Sequence, residues 1–131
     1  MTESELMQIR KFVHLTCLIK VAINTINDLS ESRISFKSMP ISITKLFGKR
    51  IRNDLKELQK EMRANVVHAW LEDNGEDVVY VHTSIKGVNG RHGIKRKILN
   101  EDLQDKIEDY ANQFGKMSID SPYVLDPGGC P

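Results

Sequence analysis

The chain has 131 residues, of which 40% are hydrophobic and 28% charged, with a formal net charge of +1. That length suits one domain with its own core, and the composition excludes a disordered or fibrous chain. No uncharged apolar run reaches the ~18 residues of a membrane span, the acidic start MTESELMQIRK is unlike a signal peptide, and Cys17 and Cys130 make neither a disulfide framework nor a zinc set.

These exclusions point to a reducing, cytoplasmic setting. The near-neutral total conceals charge blocks: residues 45–63 carry +4, 65–85 carry −4, 86–97 carry +5 and 100–114 carry −4. Such striping describes separate surfaces for recognition.

In chain order, Thr2 with Glu5 forms a capping-box pattern that opens a helix from about Glu3 to Leu29. From Phe12 to Ile26 its apolar residues point in nearly every direction, the mark of a buried helix. Either it runs through the middle of the fold or it packs against a second copy of the chain. Ser30–Ser38 reads as a loop, with Arg33–Phe36 alternating like a short strand. Pro40 suits the first turn of the next helix, where its missing N–H costs nothing. Gly48 either breaks that helix in two or lies within one continuous helix at about 1 kcal/mol.

Phe47, Ile51, Leu55, Leu58 and Met62 make one apolar stripe. Lys49, Arg52, Lys56, Lys60 and Arg63 point about 140° away from it, so burying the first set exposes the second.

Asn65–Leu99 reads as a three-stranded antiparallel meander. Asn74-Gly75 is a two-residue hairpin signal, and with that turn Val67 faces His82, Ala69 faces Tyr80 and Leu71 faces Val78. Both sheet faces are then largely apolar, so helices or a partner chain must cover both. Trp70 and Tyr80 are expected in the core. Lys86–Gly93 reads as a glycine-marked connection leading into a basic strand, Ile94–Leu99. Asn100 is the expected N-cap of a last helix with apolar stripe Leu103, Ile107, Tyr110 and Phe114, ending at Gly115. The expected fold is therefore α+β: a long N-terminal helix, a middle helical segment, the meander and a closing helix. It forms one domain over 1–115, with a flexible or surface-laid tail over 116–131.

No catalytic set emerges. His14, His68, His82 and His92 lack metal-ligand spacing, and in the expected register His68 and His82 fall on opposite faces. Cys17 in an apolar helix is expected to be an inert buried thiol, and the acids of the last helix are its solvated face. No catalytic residue, metal or cofactor is expected.

What remains is cationic. Lys49, Arg52, Lys56 and Lys60 on the middle helix, and Arg91, Lys95, Arg96 and Lys97 on the glycine-marked loop and strand, suit phosphate contacts through counterion release. Asn53 and Gln59 are the polar groups on that helix able to read bases. A helix, a short strand, two helices broken at Gly48 and a hairpin give the outline of a winged helix-turn-helix, although the Glu72–Asp77 tip is acidic. A helix, three strands and a helix over 45–114 is also the order of double-stranded-RNA-binding domains. The expected function is a small non-enzymatic regulator that binds DNA or RNA, as a homodimer. The alternatives are a module or inhibitor binding a protein partner through complementary charge, and a binder of a small anion at Gly87–Gly93.

Overall fold

The structure is a computed structural model describing residues 1–119, with side chains described to residue 113. Thr2 opens α1 (Glu3–Glu31) through the expected capping box: the Glu5 N–H donates to its hydroxyl at 3.1 Å, and its own N–H donates to the Glu5 carboxylate at 3.4 Å. At the far end the backbone N–H and hydroxyl of Ser32 both donate to the Leu29 carbonyl, at 3.2 and 2.8 Å.

α2 (Ser38–Ala64) doubles back along α1. The connection is a turn, not the expected strand over Arg33–Phe36, and Phe36 sits at φ +59°. Lys37 Nζ donates to the carbonyls of Ser30 at 2.9 Å and Ser32 at 3.3 Å, satisfying acceptors left over at the end of α1. Gly48 does not break α2. A Cβ at Gly48 would meet that of Ala22 at 3.8 Å, so two small residues face each other where the helices lie close. The winged-helix outline thereby loses both its strand and its pair of helices.

β1 (Val67–Glu72), β2 (Val78–Ile85) and β3 (Val88–Lys95) form the expected meander in the order β1-β2-β3. The register of the first hairpin differs from the expected one. Val67 pairs with Ile85, Ala69 with Thr83 and Leu71 with Val81. The connection is Asp73–Asp77, in which the Gly75 N–H donates to Asp73 Oδ1 at 2.9 Å. An odd shift of register exchanges the two faces of one strand relative to the other.

The observed register gathers Val67, Val79, Val81 and Thr83, each at most 2% exposed, onto one inner face. Burying one such valine contributes roughly 1.5–3 kcal/mol, and three together outweigh the turn preference of Asn74-Gly75. The outer face carries His68, Trp70, Glu72, Tyr80, His82 and Ser84. Among the described residues only one face is therefore covered, and Trp70, 51% exposed, is not in the core. Tyr80 is half-buried on that same outer face.

The second connection is a two-residue turn, Lys86-Gly87, with φ of +51° and +85°. Two positive φ values in a two-residue loop match the right-handed twist of the flanking strands. The expected loop over Lys86–Gly93 is therefore mostly strand. A Cβ on Gly90 would lie 2.9 Å from Thr83 Oγ1, and one on Gly93 3.1 Å from Val78 Cγ1 and 3.3 Å from Tyr80 Cε1. These two glycines make room for cross-strand neighbours instead of cradling an anion.

α3 (Arg96–Ile119) starts immediately after β3, so Asn100 lies inside it instead of capping it, and Gly115 does not end it. The Arg96 N–H donates to Asp77 O at 2.7 Å; its guanidinium donates to Glu76 O at 2.8 Å and to Asp73 Oδ1 at 2.5 Å. A cation is poorly placed at the positive end of a helix dipole, and Asp73 offsets that. The Phe114 side chain and the expected tail beyond Ile119 lie outside the described residues. Ile9, Phe12, Val13, Leu15 and Leu18 of α1, the stripe Ile51, Leu58 and Met62 of α2, the inner valines, and Leu99, Leu103 and Tyr110 of α3 form one core. No residue between Ile23 and Arg50 is buried, so the ends of α1 and α2 nearest their connection form an arm without a core of its own.

Candidate functional site

The apolar stripe of α2 is turned inward as its spacing requires, which leaves Lys49, Arg52, Asn53, Lys56, Lys60 and Arg63 exposed on one helix face. Lys60 lies 3.6 Å from Glu57, and Arg50, beside the row, lies 3.7 Å from Asp54. Lys49, Arg52, Lys56 and Arg63 make no ion pair with any described residue. Four members of the row, Lys49, Arg52, Asn53 and Lys56, line a groove of about 590 Å³ with Ile19, Ile23 and Ile26 of α1 on its other side. Periodicity within α2 reveals the cations; the apolar wall comes from another helix and needed the packing to be seen.

The second set of cations does not join the first. Arg91 and Lys95 lie on the outer face of the sheet, turned away from the helices. Arg96 is held by Asp73, whose carboxyl this guanidinium keeps below its usual range. Lys97 is exposed on the first turn of α3. α3 thus opens on basic residues and not on the acidic Asn100–Leu103 segment.

Arg91 belongs to a cluster that spans all three strands. Its guanidinium lies 3.7 Å above the centre of the Tyr80 ring and donates to Glu72 Oε2 at 3.5 Å. His82 Nε2 donates to the same carboxylate oxygen at 2.8 Å and its ring stacks on Trp70, with centroids 5.4 Å apart and planes 6° from parallel. The hydrogen bond from His82 and the charge of Arg91 hold the Glu72 carboxyl below its usual range. The expected register hid this cluster by placing Trp70 and His82 on opposite faces. His68 likewise shares a face with His82, contrary to expectation. Among the described residues, no group of three or more His, Cys, Asp or Glu side chains is arranged to hold a metal.

Three titratable groups sit at the junctions of the helices. Tyr110 donates to Asp54 Oδ2 at 2.5 Å and meets the Phe47 ring edge-on; burial and this bond raise its pKa. Cys17 is partly buried instead of fully enclosed, and that burial pushes its thiol up.

His14, 7% exposed, lies 3.5 Å from Asp102 Oδ2 of α3. Burial holds its pKa below the ordinary 6.5, with Asp102 opposing more weakly. Below about pH 6.5 the unfolded chain therefore takes up a proton that the folded chain resists, and stability present above that pH is lost as the pH falls. Urea unfolding midpoints are expected to drop between pH 7.5 and 5.5, and His14→Gln to flatten that dependence. An unchanged slope in the variant would assign the effect to other groups.

No helix among the described residues is long and apolar enough to cross a membrane. No curated protein and no solved structure matches the chain. A family model described as YhjD protein matches residues 1–115, a span that includes the whole sheet, the α1–α2 pair and α3 through its contacts at Asp102 and Tyr110. The chain belongs to the YhjD protein family.

Proposed function

We propose that the protein is a small, non-enzymatic, cytoplasmic regulator that binds nucleic acid through the exposed cationic face of α2. The observation that carries this is the row Lys49, Arg52, Lys56 and Arg63, exposed on one helix face without an ion pair to any described residue. At 1.5 Å per residue the row spans roughly 21 Å, about the rise of six base pairs. Each cation that neutralises a phosphate releases condensed counterions, and that supplies affinity without sequence readout. Asn53 lies among them, and it and Gln59, also exposed on α2, are the polar groups that would meet base edges. Arg91, Lys95, Arg96 and Lys97 form a separate surface and contribute little to this contact.

Fluorescence anisotropy with labelled DNA and RNA, single- and double-stranded, tests the proposal. Binding is expected at about 50 mM salt, weakening steeply as salt rises. Lys49→Ala with Arg52→Ala and Lys56→Ala is expected to reduce the log–log salt slope by about 2–3, while Lys95→Ala with Lys97→Ala leaves it near the wild-type value. Absence of binding to all four probes at low salt would end this reading.

One observation favours a protein partner instead. Ile19, Ile23 and Ile26 give the groove an apolar wall beside its cations, and an amphipathic acidic helix matches that combination better than a sugar-phosphate chain does. If an acidic amphipathic peptide shifts the resonances of these three isoleucines while nucleic acid shifts none, the partner is a protein.

A further inference from the structure

We infer that the arm is the seat of a homodimer, in which a second copy of the chain lies against Val21, Phe36, Met39, Ile43 and Leu46. This surface is distinct from the cationic face and stands or falls without it. The stretch between Ile23 and Arg50 holds parts of two helices and buries no residue. Several of its large apolar side chains are more than half exposed, Phe36 at 84%, Met39 at 67%, Leu46 at 56% and Ile43 at 51%, while Phe47 turns inward onto the core.

Met39, Ile43 and Leu46 follow four-three spacing and make one stripe along α2. Val21, also exposed, continues it on α1. Val21 lies two turns beyond His14, which meets Asp102 of α3, and Ile43 lies one turn before Phe47, which meets Tyr110 of α3. Both therefore face the side of the helical pair on which α3 packs.

Area and charge identify the occupant. The five side chains, 39% to 84% exposed, are large enough to supply about the 450–520 Å² of apolar area within the ~800 Å² that each partner gives to a standard-size interface. The segment SMPISIT over residues 38–44 carries no charge in a chain that is 28% charged. A solvated helix face is not built that way, whereas a buried seam is.

The stripe also ends in opposite charges. Asp28 lies two turns past Val21 near the tip, and Arg50, exposed and 3.7 Å from Asp54 of its own helix, lies one turn past Leu46 at the base. A two-fold axis that lays two arms antiparallel matches the tip of each with the base of the other, so each Asp28 meets the partner's Arg50. Phe36 supplies an anchor at the tip. Its positive φ is uncommon for a bulky residue, and the bonds from Lys37 to Ser30 and Ser32 brace the turn that presents it.

Sedimentation equilibrium of the full chain from about 1 to 100 µM tests this. The mass is expected to rise from the 15.0 kDa of one chain towards twice that value. Ile43→Asp with Leu46→Asp should raise the dimer Kd at least about 100-fold, because each change acts twice in a two-fold interface. These residues are exposed in one chain, so circular dichroism and thermal melting at high dilution should be unchanged. Val88→Asp, at a position more exposed still and beside the start of α1, at the end of the molecule away from the arm, should dimerise like the wild type.

A charge exchange covers the case in which the aspartates disturb folding. Asp28→Arg alone should weaken the dimer, and adding Arg50→Asp should restore it. A wild-type mass that stays at 15.0 kDa through 100 µM overturns the proposal, as it would if the chain's own C-terminal residues or a different protein took the stripe. Full dimerisation of the Ile43→Asp, Leu46→Asp variant overturns it equally.

Discussion

Leu18→Ala is expected to lower the free energy of unfolding by roughly 3–5 kcal/mol, close to the upper end of what truncating one core leucine costs. Leu18 is among the most completely buried side chains, at 2% exposure. It lies one turn before Ala22, which faces Gly48 across the helix pair, at the level where the arm leaves the body. The loss combines the transfer of its methyl groups with the cavity left between close-packed helices.

The arm predicts the opposite behaviour. Ile34→Ala, at an exposed position beside the turn, should stay within about 0.5 kcal/mol of the wild type. Urea unfolding of both variants at high dilution measures the contrast. A Leu18→Ala cost below about 1 kcal/mol would mean that the helix pair does not pack at this level. Hydrogen exchange should show the same division, with α1 protected up to about Ala22 and the Ile23–Arg50 amides exchanging faster.

The second large effect is at Gly90. A β-branched residue normally suits a strand better than glycine does, so Gly90→Val would stabilise an ordinary strand position. Here it is expected to cost about 2–3 kcal/mol, because the added Cβ meets Thr83 Oγ1 at 2.9 Å and Thr83 is itself 2% exposed. Gly90→Ala should cost less, and its cost should shrink further in a Thr83→Ala background that removes the obstructing hydroxyl. That double-mutant cycle isolates the contact. A Gly90→Ala penalty independent of residue 83 would show that backbone freedom, not the neighbour, selects glycine. Such a result would reopen the reading of this segment as a ligand-cradling loop.

By itself the sequence determined the features that depend on residues close together along the chain. The capping box at Thr2 and Glu5 uses groups three residues apart, and it formed as read. The apolar and cationic stripes of α2 follow from one helical period, so burying Ile51, Leu58 and Met62 necessarily exposed Lys49, Arg52 and Lys56. The α+β order and the three-stranded meander were legible for the same reason: each strand and helix announces itself within its own window.

Tertiary structure decided what compares energies across distant segments. The Asn74-Gly75 turn is a local preference of modest size, and it yielded to a register that buries three valines and a threonine on one face. With that register came the outer cluster of Trp70, His82, Glu72 and Arg91, which no single strand reveals. The glycines of β3 looked like a loop until Thr83 and Tyr80 were placed opposite them. α3 began five residues early because Asp73, Glu76 and Asp77, distant in sequence, bind Arg96. The all-round apolar character of α1 hid a division of labour for the same reason. From Ile9 to Ala22 it is enclosed by the sheet and the other helices, while from Ile23 it reaches past the sheet beside α2 and leaves an apolar arm in solvent.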